Sequence, residues 1–178
     1  MTATERGEAM PDDSDFREYV TGRLDKLRRT AYLLCGDWHA ADDVTSTAIM
    51  KLMRRWPRIR ELENIDSYAR QTLLRTWLDE RRRPWRREWA TAVLPVRAVT
   101  AADRVVDERL AILGHLAALP ARRRAVIVLR FYEDLSVEDT AEVLGCSTGT
   151  VKSQTARALD TLRAALVPAP DDAEEATR

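Results

Sequence analysis

The amino-acid sequence predicts an all-α protein built from two small helical domains joined by a flexible linker. Three observations carry this expectation. Apolar residues recur every three or four positions over long stretches, and no strand-like alternation runs beyond a few residues. Residues 91–105 then break the periodicity with Ala, Val, Thr and Pro. At 178 residues the chain has the length for one ordinary domain or two small ones.

The elements follow in order. Phe16, Val20, Leu24, Leu27, Ala31 and Leu34 line one face of a first helix, and Gly36 supplies its stop. Val44, Ala48, Leu52 and Trp56 repeat the pattern, with Pro57 expected to end that helix. A polar loop from Pro57 to Ile65 follows, and Asp66 is expected to cap a third helix reaching about Arg83. Helical periodicity resumes near Asp107 with Leu110, Leu113 and Leu116. Pro120 suits the first turn of a further helix carrying Val126 and Leu129. Residues 1–14 and the acidic stretch 168–178 are expected to be disordered tails. The boundaries are therefore 15–90 for the first domain, 91–106 for the linker and 107–167 for the second domain. The linker has too little apolar periodicity to join the halves into one core, so each is expected to pack alone.

The sharpest local pattern spans residues 135–166. Ser136 and Asp139 fit a capping box, and Ala141, Val143 and Leu144 are apolar. Gly145 stands where a left-handed residue must end a helix, and Ser147 can cap the next one. Val151, Thr155, Leu159, Leu162 and Leu166 are expected to face inward. The opposite face carries Thr148, Thr150, Lys152, Ser153, Gln154 and Arg157, with no acid before Asp160. Hydroxyls, an amide and cations of this kind can bond base edges and phosphates when a helix enters the major groove. An ordinary solvated helix would mix in Glu.

Charge is balanced overall, with 29 basic and 29 acidic residues, which excludes a general polycation. It is segregated, however. Residues 54–89 carry eleven arginines against six acids, a net +5, whereas residues 1–53 are net −3. Tyr68, Trp77, Trp85 and Trp89 interleave with those arginines. Aromatic faces that hold unstacked bases, beside cations that neutralise phosphate, suit a strand-melting surface. Core packing is the competing reading for each Trp, Trp77 above all.

Residues 119–136, 141–153 and 157–159 together resemble region 4 of bacterial sigma factors of the sigma-70 family, in the extracytoplasmic-function (ECF) group. Asp42-Asp43-Val44 and the helix Tyr68–Arg83 are similar to the family's region 2. The resemblance implies an alternative sigma factor that binds core RNA polymerase, recognises minus-35 and minus-10 promoter elements and promotes transcription initiation. It implies upstream-element contacts from the helix-turn-helix residues Ser147, Thr148, Thr150, Lys152, Ser153, Gln154 and Arg157. It implies downstream-element contacts from Arg58, Arg60, Asn64, Tyr68, Arg75, Trp77 and Arg81. The family often has Asn where Arg75 stands. Docking on the polymerase β′ coiled coil falls to Asp42, Asp43, Thr47, Leu52 and Trp56, with Ser46 and Thr47 replacing a Gln-Glu pair. The β flap is the expected partner of the second domain, and an anti-sigma factor the expected regulator. An autonomous helix-turn-helix regulator is the alternative.

No enzymatic activity, cofactor or metal is expected. His39 and His115 lie far apart, and Asp12, Asp13 and Asp15 lack the glycine turn of a calcium loop. Cys35 and Cys146 form no disulfide or metal-ligand spacing, and a redox role for Cys146 is the minor reading. The longest apolar run, Ala125 to Leu129, is too short for membrane insertion, and residues 1–13 lack signal-peptide chemistry. The expected location is the bacterial cytoplasm.

Overall fold

The computed structural model describes residues 14–82 and 111–166. Among them, helices and short turns account for the chain, with no strand. The first half comprises α1 (Ser14–Cys35), α2 (Trp38–Ile59) and α3 (Ile65–Arg82). The second comprises helical residues 111–118 (α4), α5 (Ala121–Ile127), α6 (Val137–Leu144) and α7 (Thr148–Leu166). A π-helical turn, Val128–Tyr132, extends α5. The proposed linker, residues 1–13 of the first tail, the second tail, Trp85 and Trp89 fall outside the described residues, while Ser14, expected in the first tail, begins α1.

Local chemistry sets the helix ends. Gly36 closes α1 at φ +79°, a conformation that a Cβ would strain, and its N–H donates to Tyr32 O at 2.7 Å. Asp37 caps α2 by accepting from the Ala40 N–H at 2.8 Å. Pro57 does not end α2, contrary to expectation. It sits inside the last turn, which continues to Ile59. Only one backbone donor is lost there, while buried Ile59 and the Arg60 N–H bond to Trp56 O hold the turn. The cap of α3 is Asn64, not Asp66: Asn64 Oδ1 accepts from the Ser67 N–H at 2.9 Å. Asp66 lies within the first turn. It accepts instead from Arg23 Nε at 2.9 Å and the Tyr19 hydroxyl at 3.0 Å, tying α3 to α1.

Within the first half, Phe16, Leu52, Trp56, Ile59 and Ala69 form one apolar cluster. The Phe16 ring meets Trp56 edge-on at 5.1 Å between centroids. In the second half, Val126, Ala141 and Val151 pack α5, α6 and α7 together. The inward face of α7 departs from expectation. Val151 and Ala158 are buried, Leu159 and Leu162 are half-buried, and Leu166 is 58% exposed because the helix outruns the core.

The largest cluster belongs to both halves. Leu27, Ala31, Leu34, Leu73, Leu74 and Trp77 meet Leu116, Leu119, Ala125, Val128, Leu129 and Val143 in one continuous core. The expectation that each half packs alone is therefore corrected. Helix faces of α1 and α3 meet α5 and α6 directly, so the joining does not depend on linker periodicity.

Arg124 is buried at this seam. It donates to Leu34 O at 2.7 Å and to the carbonyls of Ala117 and Leu119. Burial, reinforced by nearby Arg81, pushes its pKa down to about 10, which leaves it charged at neutral pH. Arg124→Met keeps the volume but unhooks those carbonyls. It is expected to cost about 2 kcal/mol in urea unfolding, and an unchanged midpoint would contradict this account.

Asp66 gives a pH-dependent term. Burial alone would raise its carboxyl, but the Arg23 and Tyr19 bonds outweigh that and hold it below its ordinary value. The folded state then binds the proton less readily than the unfolded chain. Its contribution is present above about pH 4 and is lost as pH falls through the depressed folded value. Asp66→Asn should flatten that part of the acid-unfolding curve, which a matched pair of pH titrations of unfolding would read.

Candidate nucleic-acid interface

Two turns of the second half aim α7 outward. Ser136 Oγ accepts from the Asp139 N–H at 2.9 Å, starting α6. Gly145 ends α6 at φ +61°, ψ 46°, with its N–H bonding back to Ala141 and Glu142. A left-handed residue here turns the chain sharply, and glycine adopts it without a Cβ clash. Ser147 Oγ then accepts from the Thr150 N–H at 3.1 Å, starting α7. Thr148, Lys152, Ser153 and Arg157 are exposed, and Thr150 and Gln154 half-buried, along one side of that helix. The first turn of α7 holds no acid. Lys152 and Arg157 form no ion pair among the described residues, so their charges face solvent. Ser147 and Thr150 hydroxyls bond one another at 2.9 Å, so both serve the cap as well as the surface.

The second basic surface lies at the turn between α2 and α3. Arg58, Arg60 and Asn64 are all exposed there, and Arg75 and Arg81 are exposed further along α3. Asn64 spends its Oδ1 on the helix cap. Arg60 lies 3.8 Å from Asp15 and 3.9 Å from Glu61. Arg55 donates to the Tyr68 hydroxyl at 2.8 Å, which orients that half-buried ring beside the turn. Trp77 differs from these neighbours. It is 2% exposed, with Arg81 and Arg124 lying 5.5 and 5.9 Å from its ring centre, so its faces are covered in this arrangement.

The α2 face separates its residues by register. Asp43 is exposed and Thr47 half-buried, whereas Leu52 and Trp56 point into the apolar cluster with Phe16. The apolar period that suggested the helix places those two on its inner face, where they support α2 from behind. Asp42 accepts from Nε and Nη2 of Arg28, at 2.6 and 2.9 Å. That pair holds the Asp42 carboxyl below the usual carboxylate range. Neither Asp42 nor Asp43 lies in the first turn of α2, so neither caps the helix dipole as a first-turn acid would. Arg28 also stands 5.6 Å from the Trp38 ring centre, and Trp38 stacks on Tyr32 at 4.1 Å. Met50 and Met53 are exposed on the same helix.

Sequence reasoning did not single out the residues that join these surfaces. Thr30, Lys26, Arg70 and Glu133 meet at the seam, although they lie on three separate segments. The charge in Tyr132-Glu133-Asp134 resembles any polar turn, and only the π-helical register turns Glu133 inward.

Comparison with known proteins finds the same family in both halves of the chain. A family model described as sigma-70 region 2 matches residues 20–87, and one described as sigma-70, region 4 matches residues 109–162. The RNA polymerase sigma-E factor of Streptomyces coelicolor is 36% identical over 164 residues, covering 92% of this chain and 93% of that protein. The ECF RNA polymerase sigma factor SigM of Mycobacterium tuberculosis is 32% identical over 135 residues, covering 75% of this chain and 67% of that one. The fold is similar to that of the sigma factor RpoE of Bartonella quintana, solved in complex with the anti-sigma factor NepR. Its TM-score is 0.69 at 24% identity, over 85% of this chain and 96% of that one. With both family regions matched in order and likeness running through nearly its whole length, the chain belongs to the sigma-70 family, in the ECF group, and is an alternative sigma factor that initiates transcription by RNA polymerase.

Proposed function

We propose that this sigma factor divides promoter recognition between its two halves. The α7 face, with Ser147, Thr148, Thr150, Lys152, Ser153, Gln154 and Arg157, reads the minus-35 element in the major groove. The turn before α3 and the outer side of α3, with Arg58, Arg60, Asn64, Tyr68, Arg75 and Arg81, hold the minus-10 strand during opening, with Trp77 buried behind them. The domains run from 15 to 90 and from 107 to 167, joined by residues 91–106. The observation that carries the reading is the acid-free, solvent-facing side of α7 behind a capped turn. A helix presented this way offers base-edge donors and phosphate partners together.

Asp43 and Thr47, with Asp42 held in place by Arg28, form the docking edge for the β′ coiled coil. Leu52 and Trp56 act from beneath that edge. The second half meets the β flap. Polymerase performs the nucleotide chemistry, and this chain supplies specificity without catalysis, cofactor or metal. Its place of action is the cytoplasm, where polymerase and promoter are; no helix among the described residues is long and apolar enough to cross a membrane. The Bartonella quintana relative supports an anti-sigma factor as a regulatory partner here too.

Alanine at Lys152, Gln154 or Arg157 should relax preference at one promoter position for a base-edge contact, at a cost of about 1–3 kcal/mol. A phosphate contact should instead weaken all sequences alike. Transcription from a library randomised in the upstream element reads the difference, and unchanged output from all three variants would contradict the assignment.

Asp43→Lys should weaken core-polymerase binding, because attraction to a basic partner becomes repulsion. The loss should shrink with added salt, since the position is exposed. Equal low-salt affinity of parent and variant in a core pull-down would remove Asp43 from the docking edge.

A further inference from the structure

The turn between α1 and α2 brings four side chains together as two facing pairs. Arg28 and Tyr32 lie one turn apart on α1, and Trp38 and Asp42 one turn apart on α2. Gly36, at φ +79°, and the Asp37 cap fold the chain back, so that Trp38 at the start of α2 lies over Tyr32. The two rings stack at 4.1 Å between centroids and 10° between planes. The Arg28 guanidinium lies over the same indole, 5.6 Å from its centre. Its Nε and Nη2 grip the two oxygens of Asp42 at 2.6 and 2.9 Å. Neither core packing nor capping accounts for the tryptophan. Trp38 is 45% exposed, it joins none of the apolar clusters of the described residues, and the cap falls to Asp37.

The Arg28 and Asp42 side chains are 41% and 47% exposed. An exposed ion pair contributes little to stability, because water screens it and holding it costs side-chain freedom. Its geometry is another matter. The fork to Asp42 is one restraint on the guanidinium, and the indole supplies a second. Tyr32 keeps the indole from rotating away, and Tyr32 itself packs against the main apolar cluster. A chain of contacts therefore runs from the core through Tyr32, Trp38 and Arg28 to a carboxylate on the α2 edge. A partner that meets this edge finds Asp42 already oriented, with little freedom left to lose on binding.

We propose that Trp38 is a positioning residue for polymerase docking: stacked on Tyr32, it holds the Arg28 guanidinium, and through it the Asp42 carboxylate, in the orientation that the β′ coiled coil meets. This rests on the assignment of the α2 edge to that coiled coil. Trp38 acts through Asp42, so its effect on docking exists only while Arg28 and Asp42 are both in place.

The test titrates the labelled full chain with core RNA polymerase and reads affinity by fluorescence anisotropy. Trp38→Ala should weaken binding about two- to fivefold, the loss of one exposed cation–π restraint. Trp38→Phe keeps a ring for Arg28 and should recover most of that loss. Arg28→Lys keeps the charge but lacks the planar fork, and should lose about as much as Trp38→Ala. Asp42→Asn should weaken binding by itself, and adding Trp38→Ala to it should change nothing further. That coupling separates positioning from a general loss of structure, which would lower affinity on either background. Equal affinity of Trp38→Ala and the parent would overturn the proposal. So would a Trp38→Ala loss that persists in full beside Asp42→Asn, since the indole would then touch polymerase directly or serve only the fold. Failure of the docking assignment reads differently: Asp42→Asn and Asp43→Lys would then both bind core as the parent does. Weakening by Asp42→Asn without weakening by Trp38→Ala would leave that assignment standing and remove only the positioning role.

Discussion

The relative placement of the two halves depends on how Arg124 and Glu133 are held where the halves meet. A guanidinium and a carboxylate are among the groups most costly to remove from water. Arg124 meets three backbone carbonyls, and Glu133 meets a hydroxyl and two cations. Each interaction set needs residues from both halves. Apolar contact between Leu34, Leu73, Leu119 and Leu129 supplies area without direction. The polar set supplies the direction, because its bonds tolerate little sliding. A seam held by both is closed in one register, and loss of a few bonds leaves buried charge exposed to penalty.

The first half is tied internally by the same logic at its surface. Asp66 joins α1 to α3 through Arg23 and Tyr19, and Asp42 joins α1 to α2 through Arg28. These pairs are half-exposed and individually modest. Their use is positional. They fix the start of α3 and the outer edge of α2, the places proposed above to meet strand and polymerase. Behind both, the Phe16–Trp56 contact keeps the turn between α2 and α3 anchored in an apolar cluster.

Helices and the helix-turn-helix were legible because their signals are local. Gly36, Gly145, Ser136 and Ser147 act within four residues of their own position, and each does so as its residue type requires. The errors came where a local rule met a tertiary override. Pro57 sits in a helix end that Ile59 holds in the core, and Asp66 was drawn from capping by two partners on α1. Leu52 and Trp56 show a different limit: apolar periodicity identifies a buried face, while a binding role needs an exposed one. The seam was illegible because its members are far apart in sequence, 103 residues in the Thr30–Glu133 pair. No single residue among them is unusual in composition. Their meaning arises only when a π-helical turn rotates Phe131 and Tyr132 outward and Glu133 inward.

That rotation reverses the usual sorting of side chains, and the reversal is informative. Phe131 is 58% exposed while the adjacent acid is buried, so the hydrophobic effect alone did not choose this register. A register with the rings inward would bury more apolar area but would take the Glu133 carboxylate away from Lys26 and Arg70. The register observed keeps the Glu133 contacts at the expense of apolar burial at the end of α5. It also leaves two aromatic rings on the surface of the second half. The same turn thus closes the chain on one side and offers an apolar contact on the other.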